Sequence, residues 1–267
     1  MTTSALPYKN SFISYSCFGT GPKAVICLHG YGEDRTAFYF LEKYAGNEFT
    51  FYCIDLPFHG GTDWREGLTF SIQDLLAVIQ QIVPAGQRFL LLGFSLGGRI
   101  ALSVYQAMPQ QVEKMILLAP DGLKVNFWYW LATQTLIGNR FFHFTMTHPG
   151  WFFGFLKLLN KIKLINASIF KFVNFYIGNP VVRQQLYARW TTLRKLKPNR
   201  EKIKSLIHEQ KTPVRLVYGK HDRIILSSVG EKFRKGIEEY SLLEVIPSGH
   251  QVLHEKHAEY ILQSMKG

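Results

Sequence analysis

The sequence predicts an α/β protein built on a doubly wound, mostly parallel sheet, and three observations support this prediction. Apolar runs of four to eight residues recur along the chain, bounded by Gly or Pro, which is typical of strands buried on both faces. Segments of helix length lie between these runs. The chain has 267 residues, of which 47% are hydrophobic and 19% charged, a composition that excludes a disordered, collagen-like or coiled-coil protein. That length suits one core with an insertion.

The first part of the chain alternates strands with helices. We predict an antiparallel hairpin strand at the sheet edge, followed by buried strands that are separated by helices. The second predicted helix places Ile72, Leu75 and Ile79 on one face. Such alternation implies right-handed crossovers between parallel strands. The predicted elements are the edge strand at 10–18, buried strands at 24–29, 49–56 and 88–94, and helices at 34–45 and 71–83.

The alternation continues and is then interrupted. A helix is predicted at 95–108 and a strand at 114–119, and two further strands are predicted at 213–219 and 242–246. Between Pro120 and Pro213 lie 92 residues, whereas a crossover between parallel strands needs only about two dozen. The sequence therefore predicts an insertion after the 114–119 strand.

The inserted segment differs from the rest of the chain in charge and aromatic content. Residues 122–211 contain 15 Lys and Arg but only two acidic residues, so their net charge is +13, and the remaining residues carry −1. The same segment holds 17 of the 39 aromatic residues. We therefore predict a core domain formed by 1–120 and 212–267, and a helical, basic, aromatic-rich cap formed by 121–211.

The cysteines and the amino-terminal residues bear on the compartment. Cys17, Cys27 and Cys53 lie in apolar, strand-like stretches without metal-ligand spacing, and an odd number cannot form a complete set of disulfides within one chain. The first ten residues lack a basic start followed by an apolar stretch, and no run of about 18 uncharged apolar residues occurs. These features predict buried, reduced thiols in a cytoplasmic protein without a spanning helix.

The segment Gly93-Phe94-Ser95-Leu96-Gly97 fits the pattern G-x-S-x-G. The bare pattern is weak evidence, because an accidental glycine-serine turn produces it too. Here a buried-strand pattern ends at Phe94 and a helix pattern begins at Leu96, so Ser95 falls on the sharp turn at which this motif presents a nucleophile. We predict Ser95 as the catalytic nucleophile.

A serine nucleophile needs a base and an acid that orients the base. Asp222 and His250 each follow a predicted strand, and the order Ser, Asp, His is the one expected for this nucleophile turn. The alternative for Asp222 is a solvated loop carboxylate without a catalytic role. The alternative for His250 is a loop histidine that caps a helix. Asp121 follows the 114–119 strand and competes as the acid, although capping of the first inserted helix suits it better. We predict Asp222 and His250.

Two backbone N–H groups are needed to stabilise the oxyanion of a tetrahedral intermediate. One is predicted at Leu96, directly after the nucleophile, and the other at Tyr31 in the glycine-containing loop after an early strand. His29 lies in the same loop and is interpreted as a structural residue, since His250 already fills the role of base.

Five motifs now make a resemblance clear. The chain resembles the α/β-hydrolase superfamily, in the capped group that contains esterases, lipases, haloalkane dehalogenases and carbon–carbon bond hydrolases. The resemblance spans about residues 10–265 apart from the insert, which matches no subfamily. The motifs are HGYG at 29–32, IDLPFHGGT at 54–62, GFSLGG at 93–98, YGKHD at 218–222 and SGH at 248–250.

The resemblance implies a fold and narrows the chemistry. It implies the α/β-hydrolase fold, with a mostly parallel eight-stranded sheet and a helical cap inserted after the sixth strand. Serine at position 95, where dehalogenases and epoxide hydrolases carry aspartate, argues against those two reactions. The family loop usually reads D-L-P-G-H-G, whereas Phe58 replaces the first glycine here. Phe58, His59 and Phe94 are therefore candidates for contact with the substrate.

The leading hypothesis is a serine hydrolase that cleaves an apolar ester or related acyl compound through an acyl-enzyme on Ser95. A roof rich in Phe, Trp and Leu suits an acyl chain or an aromatic group. Two alternatives stay open, because fold and triad do not determine the reaction class. One is a lyase or carbon–carbon bond hydrolase that uses the same triad, and the other is a non-catalytic, membrane-associated binding protein.

The remaining predictions concern partners. We predict no metal and no organic cofactor, and no nucleic acid, because the sequence contains no recognised module for any of them. Apolar and basic residues alternate in part of the insert as they do in an interfacial helix, which predicts peripheral contact with an anionic membrane. These residues are Phe152, Phe153, Phe155, Leu156, Leu158, Leu159, Lys161, Lys163 and Lys171.

Overall fold

Within the described residues, eight strands form a single sheet. The structure is a computed structural model of the chain that describes residues 1–44, 46–124, 126–161 and 177–266. The sheet order is β1-β2-β4-β3-β5-β6-β7-β8. The first two pairings, β1 with β2 and β2 with β4, are antiparallel, and the other pairings are parallel. The strands are β1 (Thr2–Tyr8), β2 (Ser11–Phe18), β3 (Lys23–Leu28), β4 (Phe49–Ile54), β5 (Phe89–Phe94), β6 (Val112–Leu118), β7 (Val214–Gly219) and β8 (Ser241–Ile246).

The predicted mostly parallel, eight-stranded sheet is thus confirmed. Its central strands are apolar because both faces are covered, and all six residues of β5 are buried. The sheet edge was predicted incompletely, since β1 is the edge strand and β2 lies inside it. Most of β1 is exposed and it contains Pro7, so it lacks the apolar alternation by which sequence analysis finds a strand.

Ten helices of at least one turn lie in the described part of the chain, several of them between β6 and β7. They are α1 (Leu41–Tyr44), α2 (Ile72–Ile82), α3 (Leu96–Ala107), α4 (Phe127–Gln134), α5 (Leu136–Thr147), α6 (Gly150–Lys161), α7 (Pro180–Thr192), α8 (Arg200–Gln210), α9 (Ser227–Arg234) and α10 (Ala258–Lys266). Short 3₁₀ helices occur at Arg35–Phe38, Pro109–Gln111, Leu193–Lys195 and Glu255–His257.

The continuous helix predicted at 34–45 is wrong. Its place is taken by the 3₁₀ helix Arg35–Phe38 and the single turn α1, while residue 45 lies outside the described residues. The cause is a long-range contact: the Arg35 backbone N–H donates to the buried Asp55 carboxylate (2.7 Å), and the Arg35 guanidinium pairs with the same group. This contact holds the start of the predicted helix beside the loop after β4. A continuous helix therefore does not form, although the local sequence pattern favours one.

The chain divides into two compact units. The first comprises Met1–Glu66, Phe70–Lys124 and Lys195–Gly267, and the second comprises Gly67–Thr69 and Val125–Arg194, of which 126–161 and 177–194 are described. The second unit is narrower than the predicted cap, 121–211, because α8 belongs to the first unit. Within that unit Ile203 and Ile207 of α8 are fully buried. The predicted cap included this helix because it was taken to extend to the strand predicted at 213–219.

The three cysteines are free thiols. Cys27 and Cys53 are buried and face each other in register on β3 and β4, and burial raises the pKa of the Cys53 thiol. Cys17 on β2 is only half-buried, so the prediction of three buried thiols is wrong at this position. Among the described residues, no helix combines the length and the apolar character needed to cross a bilayer.

The carboxylate of Asp74 connects the first hairpin to α2. Its Oδ1 accepts hydrogen bonds from Tyr8 Oη (2.8 Å) and Lys9 Nζ, and its Oδ2 accepts from the Ser71 backbone N–H (2.8 Å) and hydroxyl (2.7 Å). The Ser71 hydroxyl caps α2 in return, completing a capping box. Burial acts to raise the pKa of Asp74, but these hydrogen bonds outweigh it and hold the pKa well below the usual range.

Asp74→Asn is expected to lower the free energy of unfolding at neutral pH by about 1–2 kcal/mol, because it removes charge-assisted hydrogen bonds. A carboxyl whose pKa is depressed in the folded state stabilises it above the unfolded pKa of about 4, and this contribution disappears as the pH falls. The variant should therefore lose less stability than the wild type between neutral and acidic pH. Urea unfolding at both pH values measures this, with Asp63→Asn, an exposed carboxylate, as the control. Equal pH dependence in wild type and Asp74→Asn would contradict the assignment.

Candidate active site

Ser95 occupies the sharp turn between β5 and α3. Its backbone angles, φ 50° and ψ −112°, fall outside the regions that residues with a side chain normally adopt. The turn is held by neighbouring backbone: the Ser95 N–H donates to the Leu118 carbonyl (2.9 Å), and the Ser95 carbonyl accepts from the Asp121 N–H (2.9 Å). Strain of this kind persists only where the surroundings impose it, and it is concentrated at functional sites.

The two glycines of the G-x-S-x-G pattern are needed for space. A Cβ on Gly97 would lie 1.8 Å from the Leu28 carbonyl oxygen, and a Cβ on Gly93 would lie 2.6 Å from the Gly97 carbonyl oxygen. Both distances are far below van der Waals contact, so the strand and the helix approach this closely only with glycine at these positions. The motif is therefore a steric requirement of the turn that carries Ser95.

Three predicted side chains meet at this turn. The Ser95 hydroxyl lies 3.1 Å from Nε2 of His250, and Nδ1 of His250 lies 2.7 Å from Oδ2 of Asp222. With the proton on Nδ1, the imidazole donates to the carboxylate, and Nε2 accepts from the serine hydroxyl. This arrangement of nucleophile, base and orienting acid is the one required for an activated serine.

The loops that follow β7 and β8 place the acid and the base together. Both strands end at the same edge of the sheet, and the loops are linked by hydrogen bonds from the His221 N–H to the Ser248 carbonyl (2.8 Å) and from the Lys220 N–H to the Ile246 carbonyl (2.8 Å). A Cβ on Gly219 would lie 1.9 Å from the Gly249 carbonyl oxygen. The contact of the two loops thus depends on glycine at the end of β7.

Asp222 is oriented by its own loop. Its carboxylate is inaccessible to solvent, and Oδ1 accepts from the backbone N–H groups of Ile224 (2.7 Å) and Ile225 (3.0 Å). Since Oδ1 is held by these two donors, Oδ2 is directed to His250. The loop therefore fixes the carboxylate plane and, through it, the imidazole ring.

Asp121, the competing acid, has other contacts. Its Oδ1 accepts from the Gly122 N–H (2.7 Å), and its Oδ2 lies 3.5 Å from the Arg99 guanidinium, with 40% of the side chain exposed. The carboxylate that contacts His250 in the structure is Asp222.

One predicted oxyanion donor lies at the start of α3, and the other lies in the loop after β3. Leu96 is the first residue of α3, so its N–H has no acceptor within the helix, and the positive end of the helix dipole lies there. Tyr31 follows Gly30 in the loop after β3. The Gly30 carbonyl accepts from the Glu33 N–H (3.3 Å) and lies 2.8 Å from Nδ1 of His29. These contacts fix the peptide that carries the Tyr31 N–H.

The three candidates for substrate contact differ in exposure. Phe94 is 2% exposed, and its ring centroid lies 5.4 Å from that of His250, so it packs against the base. His59 is also 2% exposed and donates from Nδ1 to the Pro57 carbonyl (2.9 Å). Phe58 is half-buried and has a φ of 63°. That left-handed conformation explains why the corresponding family position is usually glycine.

One residue near the site has the structural role that the sequence indicated, and others were missed. His29 accepts the Leu56 N–H at Nε2 (3.1 Å) and uses Nδ1 on the Gly30 carbonyl, so both ring nitrogens have structural partners. Sequence analysis assigned no role to Asp55, Glu33 or Gln251. Asp55 lies within the IDLPFHGGT motif, and its place in that motif was the sequence signal that could have pointed to a structural role. The role of Glu33 depends on spatial partners, for which no local pattern exists.

The site contains no evident metal centre. Within the part of the chain that the structure describes, no group of three or more His, Cys, Asp or Glu side chains is arranged to hold a metal ion.

Comparisons with known proteins agree with the fold. A family model described as alpha/beta hydrolase fold matches residues 23–257. A pimeloyl-[acyl-carrier protein] methyl ester esterase of Aeromonas salmonicida is 30% identical over 128 residues, which are 47% of this chain and 49% of that protein. The chain thus spans about half the length of this relative.

Two further comparisons cover most of the chain. The uncharacterized hydrolase YugF of Bacillus subtilis is 23% identical over 242 residues, 88% of this chain and 86% of that protein. The solved structure of a thermophilic esterase from Thermogutta terrifontis has a TM-score of 0.68 at 17% identity, covering 100% of this chain and 97% of that chain. At such identity the structural likeness concerns the fold alone.

Proposed function

The chain belongs to the alpha/beta hydrolase fold family, and on that basis we propose that it is a serine hydrolase which cleaves an apolar ester or related acyl compound. The observation that carries the proposal is the chain of hydrogen bonds from Ser95 through His250 to Asp222, built on a strained turn. An esterase among the relatives supports an ester as the substrate class.

In the proposed mechanism, Ser95 Oγ attacks the acyl carbonyl carbon while Nε2 of His250 takes the hydroxyl proton. The negative charge that develops on the carbonyl oxygen is stabilised by the N–H groups of Leu96 and Tyr31. His250 then gives the proton to the leaving alcohol oxygen as the ester C–O bond breaks, and an acyl-enzyme on Ser95 results.

The second half of the reaction uses the same groups. His250 removes a proton from water, the resulting hydroxide attacks the acyl carbon, and Ser95 Oγ leaves with the proton that His250 returns. In both halves Asp222 accepts the hydrogen bond from Nδ1, which keeps the imidazole in the productive tautomer and stabilises the imidazolium. The products are a carboxylic acid and an alcohol.

The apolar character of the proposed substrate is supported by side chains near the acid. Ile224 and Leu226 lie just beyond Asp222 and are 73% and 54% exposed, so two large apolar groups face solvent on the loop that orients the base. Phe58 adds a half-buried aromatic ring on the loop after β4. Surfaces of this kind favour an acyl chain over a small charged metabolite.

A fluorophosphonate probe tests the proposed nucleophile. It is expected to add one phosphonyl group to the folded wild type, detected as a mass increase on the peptide that contains Ser95, and none to Ser95→Ala. Absence of labelling in the folded wild type would contradict the serine mechanism. If labelling occurs but no ester is hydrolysed, the hydrolase assignment is wrong, and a lyase with the same nucleophile becomes the better explanation.

The substrate class is tested with nitrophenyl esters of increasing acyl length. We expect kcat/KM to rise from acetyl to medium-chain esters, each buried methylene contributing at most about 0.8 kcal/mol. Ile224→Ser is expected to reduce this dependence on chain length, whereas Leu242→Ser, an exposed apolar residue on β8, should not. A strict preference for acetate would contradict an apolar acyl site.

A further inference from the structure

Helix α5 carries large apolar side chains on the face that solvent reaches. Leu136 and Ile137 are 83% and 84% exposed, and Phe141 and Phe144 are 56% and 49% exposed. With 100° between successive residues, these four and Arg140 fall within one arc of about 140°. We call these five residues the outer face of α5.

The opposite face of α5 packs inside the second unit and is held there by hydrogen bonds. The Asn139 amide donates to the Ala132 carbonyl (3.0 Å) and to the Thr191 hydroxyl (3.2 Å). Thr145 is buried, and its hydroxyl donates to the Phe141 carbonyl (2.9 Å). Rotating the helix to bury its apolar face would break the Asn139 contacts and would expose the buried Met146. The exposure of the outer face is therefore fixed by the packing of the second unit.

Other helices of the second unit also expose large apolar side chains. Trp128 on α4 is 72% exposed, and Phe155 and Leu158 on α6 are 48% and 56% exposed. Single exposed apolar residues are ordinary, but a contiguous apolar helix face usually marks an interaction surface.

The segment predicted to contact a membrane, from Phe152 to Lys171, is only partly exposed where the structure describes it. The predicted contact surface therefore has to be moved to another helix. Leu156 is buried, and Phe152, Phe153 and Leu159 are half-buried, because α6 uses one side for packing. Lys163 and Lys171 lie outside the described residues. The most exposed apolar side chains are on α5, which the sequence prediction did not include.

The charge of the same region indicates what kind of surface it meets. Between Asp121 and Glu201 the sequence contains twelve Lys and Arg and no acidic residue. Arg140 lies on the outer face itself, and Lys157 and Lys161 on α6 are exposed. An apolar face that carries Arg140 and no carboxylate, in a segment that is basic throughout, matches the acyl region and the phosphates of an anionic lipid layer.

We propose that the outer face of α5 binds reversibly to the surface of an anionic phospholipid bilayer. Leu136, Ile137 and Phe141 enter the boundary between headgroups and acyl chains, and Trp128 lies at the headgroup level that tryptophan prefers. Arg140, Lys157 and Lys161 pair with lipid phosphates, an attraction that salt weakens. A nucleic acid would satisfy the cations but would leave the aliphatic side chains in water.

Co-sedimentation of the full chain with vesicles tests the proposal. Vesicles of phosphatidylcholine alone are compared with vesicles that also contain phosphatidylglycerol, at low and at physiological salt. We expect binding to the anionic vesicles to exceed binding to the neutral ones by at least about tenfold at low salt and to fall as salt is added. Equal binding to both vesicle types, or no binding at low salt, would overturn the proposal.

Matched variants locate the binding surface. Leu136→Ser combined with Ile137→Ser, and separately Arg140→Glu, should each weaken binding by about tenfold or more. The controls, Leu242→Ser and Lys232→Glu, change exposed residues of the first unit in the same way and should bind as the wild type does. Circular dichroism and thermal melting verify folding. If the α5 variants bind lipid normally but abolish a concentration-dependent dimer, a second copy covers this face and the lipid proposal is wrong.

A separate observation in the first unit concerns Glu33, which joins two loops of the candidate active site. Its Oε2 accepts from the Gly30 N–H (3.1 Å), and its Oε1 accepts from the Gln251 side-chain amide (2.8 Å). Gly30 precedes Tyr31, and Gln251 follows His250. One carboxylate thus spans the loop of a predicted oxyanion donor and the loop of the base.

Glu33 also fixes the peptide between Gly30 and Tyr31. The Glu33 N–H donates to the Gly30 carbonyl (3.3 Å), so both backbone polar groups of Gly30 bond to the same residue. The carbonyl of Gly30 and the N–H of Tyr31 belong to one planar trans peptide and point in opposite directions. Holding that carbonyl therefore sets the direction of the Tyr31 N–H. The site is tight, since a Cβ on Gly30 would lie 2.9 Å from both Glu33 Oε2 and Phe94 Cδ1.

We infer that Glu33 is a positioning residue that aligns the Tyr31 N–H with the developing oxyanion; this inference rests on the proposed hydrolase function. Glu33→Ala keeps the backbone N–H that bonds to the Gly30 carbonyl but removes the side-chain links to the Gly30 N–H and to Gln251. It should lower kcat for ester hydrolysis by about 10- to 100-fold with KM changed by less than about twofold, the pattern of an interaction made in the transition state. Binding of a trifluoromethyl ketone, which mimics the tetrahedral state, should weaken in parallel.

Glu33→Gln should recover part of the lost activity, because the amide oxygen still accepts the Gly30 N–H, whereas the Gln251 amide also donates to the Leu253 carbonyl (3.0 Å) and would give up that bond if it turned to accept from the new donor. Gln251→Ala, which removes one of the two links, should lose less than Glu33→Ala. Wild-type kcat in Glu33→Ala, or losses of kcat and ketone binding in Glu33→Gln as large as those in Glu33→Ala, would overturn the inference. Failure of the wild type itself to label or to hydrolyse esters would instead overturn the proposed function.

Discussion

Replacing Ser95 by alanine is expected to lower kcat/KM for ester hydrolysis by at least about four orders of magnitude. The substitution removes the atom that forms the acyl-enzyme, and the neighbouring groups have no other nucleophile at the same position to activate. The substituted alanine would also have to adopt the strained angles of the turn, so unfolding of each variant is measured beside its activity. Steady-state kinetics on the best nitrophenyl ester gives the comparison.

The control for this prediction compares single and double variants, because losses of kcat are not additive for residues that act together. His250→Ala should cost about as much as Ser95→Ala, and the double variant should be hardly worse than either single one. Ser103→Ala, a buried serine on α3 whose hydroxyl donates to the Arg99 carbonyl, serves as the matched substitution away from the turn. Ester hydrolysis that survives in Ser95→Ala at the wild-type rate would show that another group carries out the reaction.

The parts of the fold that the sequence predicted are those with local physical causes. An apolar run such as β5 identifies a strand buried on both faces, and the glycines around Ser95 identify a turn with no room for side chains. The order of Ser95, Asp222 and His250 along the chain then matched three loops at one edge of the sheet. The strand and the turn need only residues that are close in sequence, and the triad needs only the order of three such local motifs along the chain.

The parts that sequence analysis missed depend on distant partners. The helix predicted at 34–45 is replaced because Arg35 meets Asp55, twenty residues away. Glu33 appears as an ordinary loop carboxylate until Gln251 is brought beside it. Helix α5 was not singled out because its apolar face is turned outward, whereas the apolar side of a helix is normally assumed to face the core.

Asp222→Asn is expected to lower kcat by about two to four orders of magnitude, while Asp121→Asn should stay within about twofold of the wild type. The asparagine oxygen can still accept from the Ile224 and Ile225 N–H groups, so the loop should keep its shape. The amide nitrogen then faces His250 and is itself a donor. It therefore favours the imidazole tautomer with the proton on Nε2, and that nitrogen no longer accepts from Ser95.

The two aspartate variants form a matched pair, because both exchange a carboxylate for an amide in a loop beside Ser95. They differ in their partner: Asp222 contacts the imidazole at 2.7 Å, whereas Asp121 faces the guanidinium of Arg99 at 3.5 Å. A general effect of lost negative charge near the nucleophile would slow both variants alike. An effect on the imidazole tautomer slows only Asp222→Asn. A larger loss in Asp121→Asn would mean that the working enzyme uses a different acid from the one that contacts His250 in the structure.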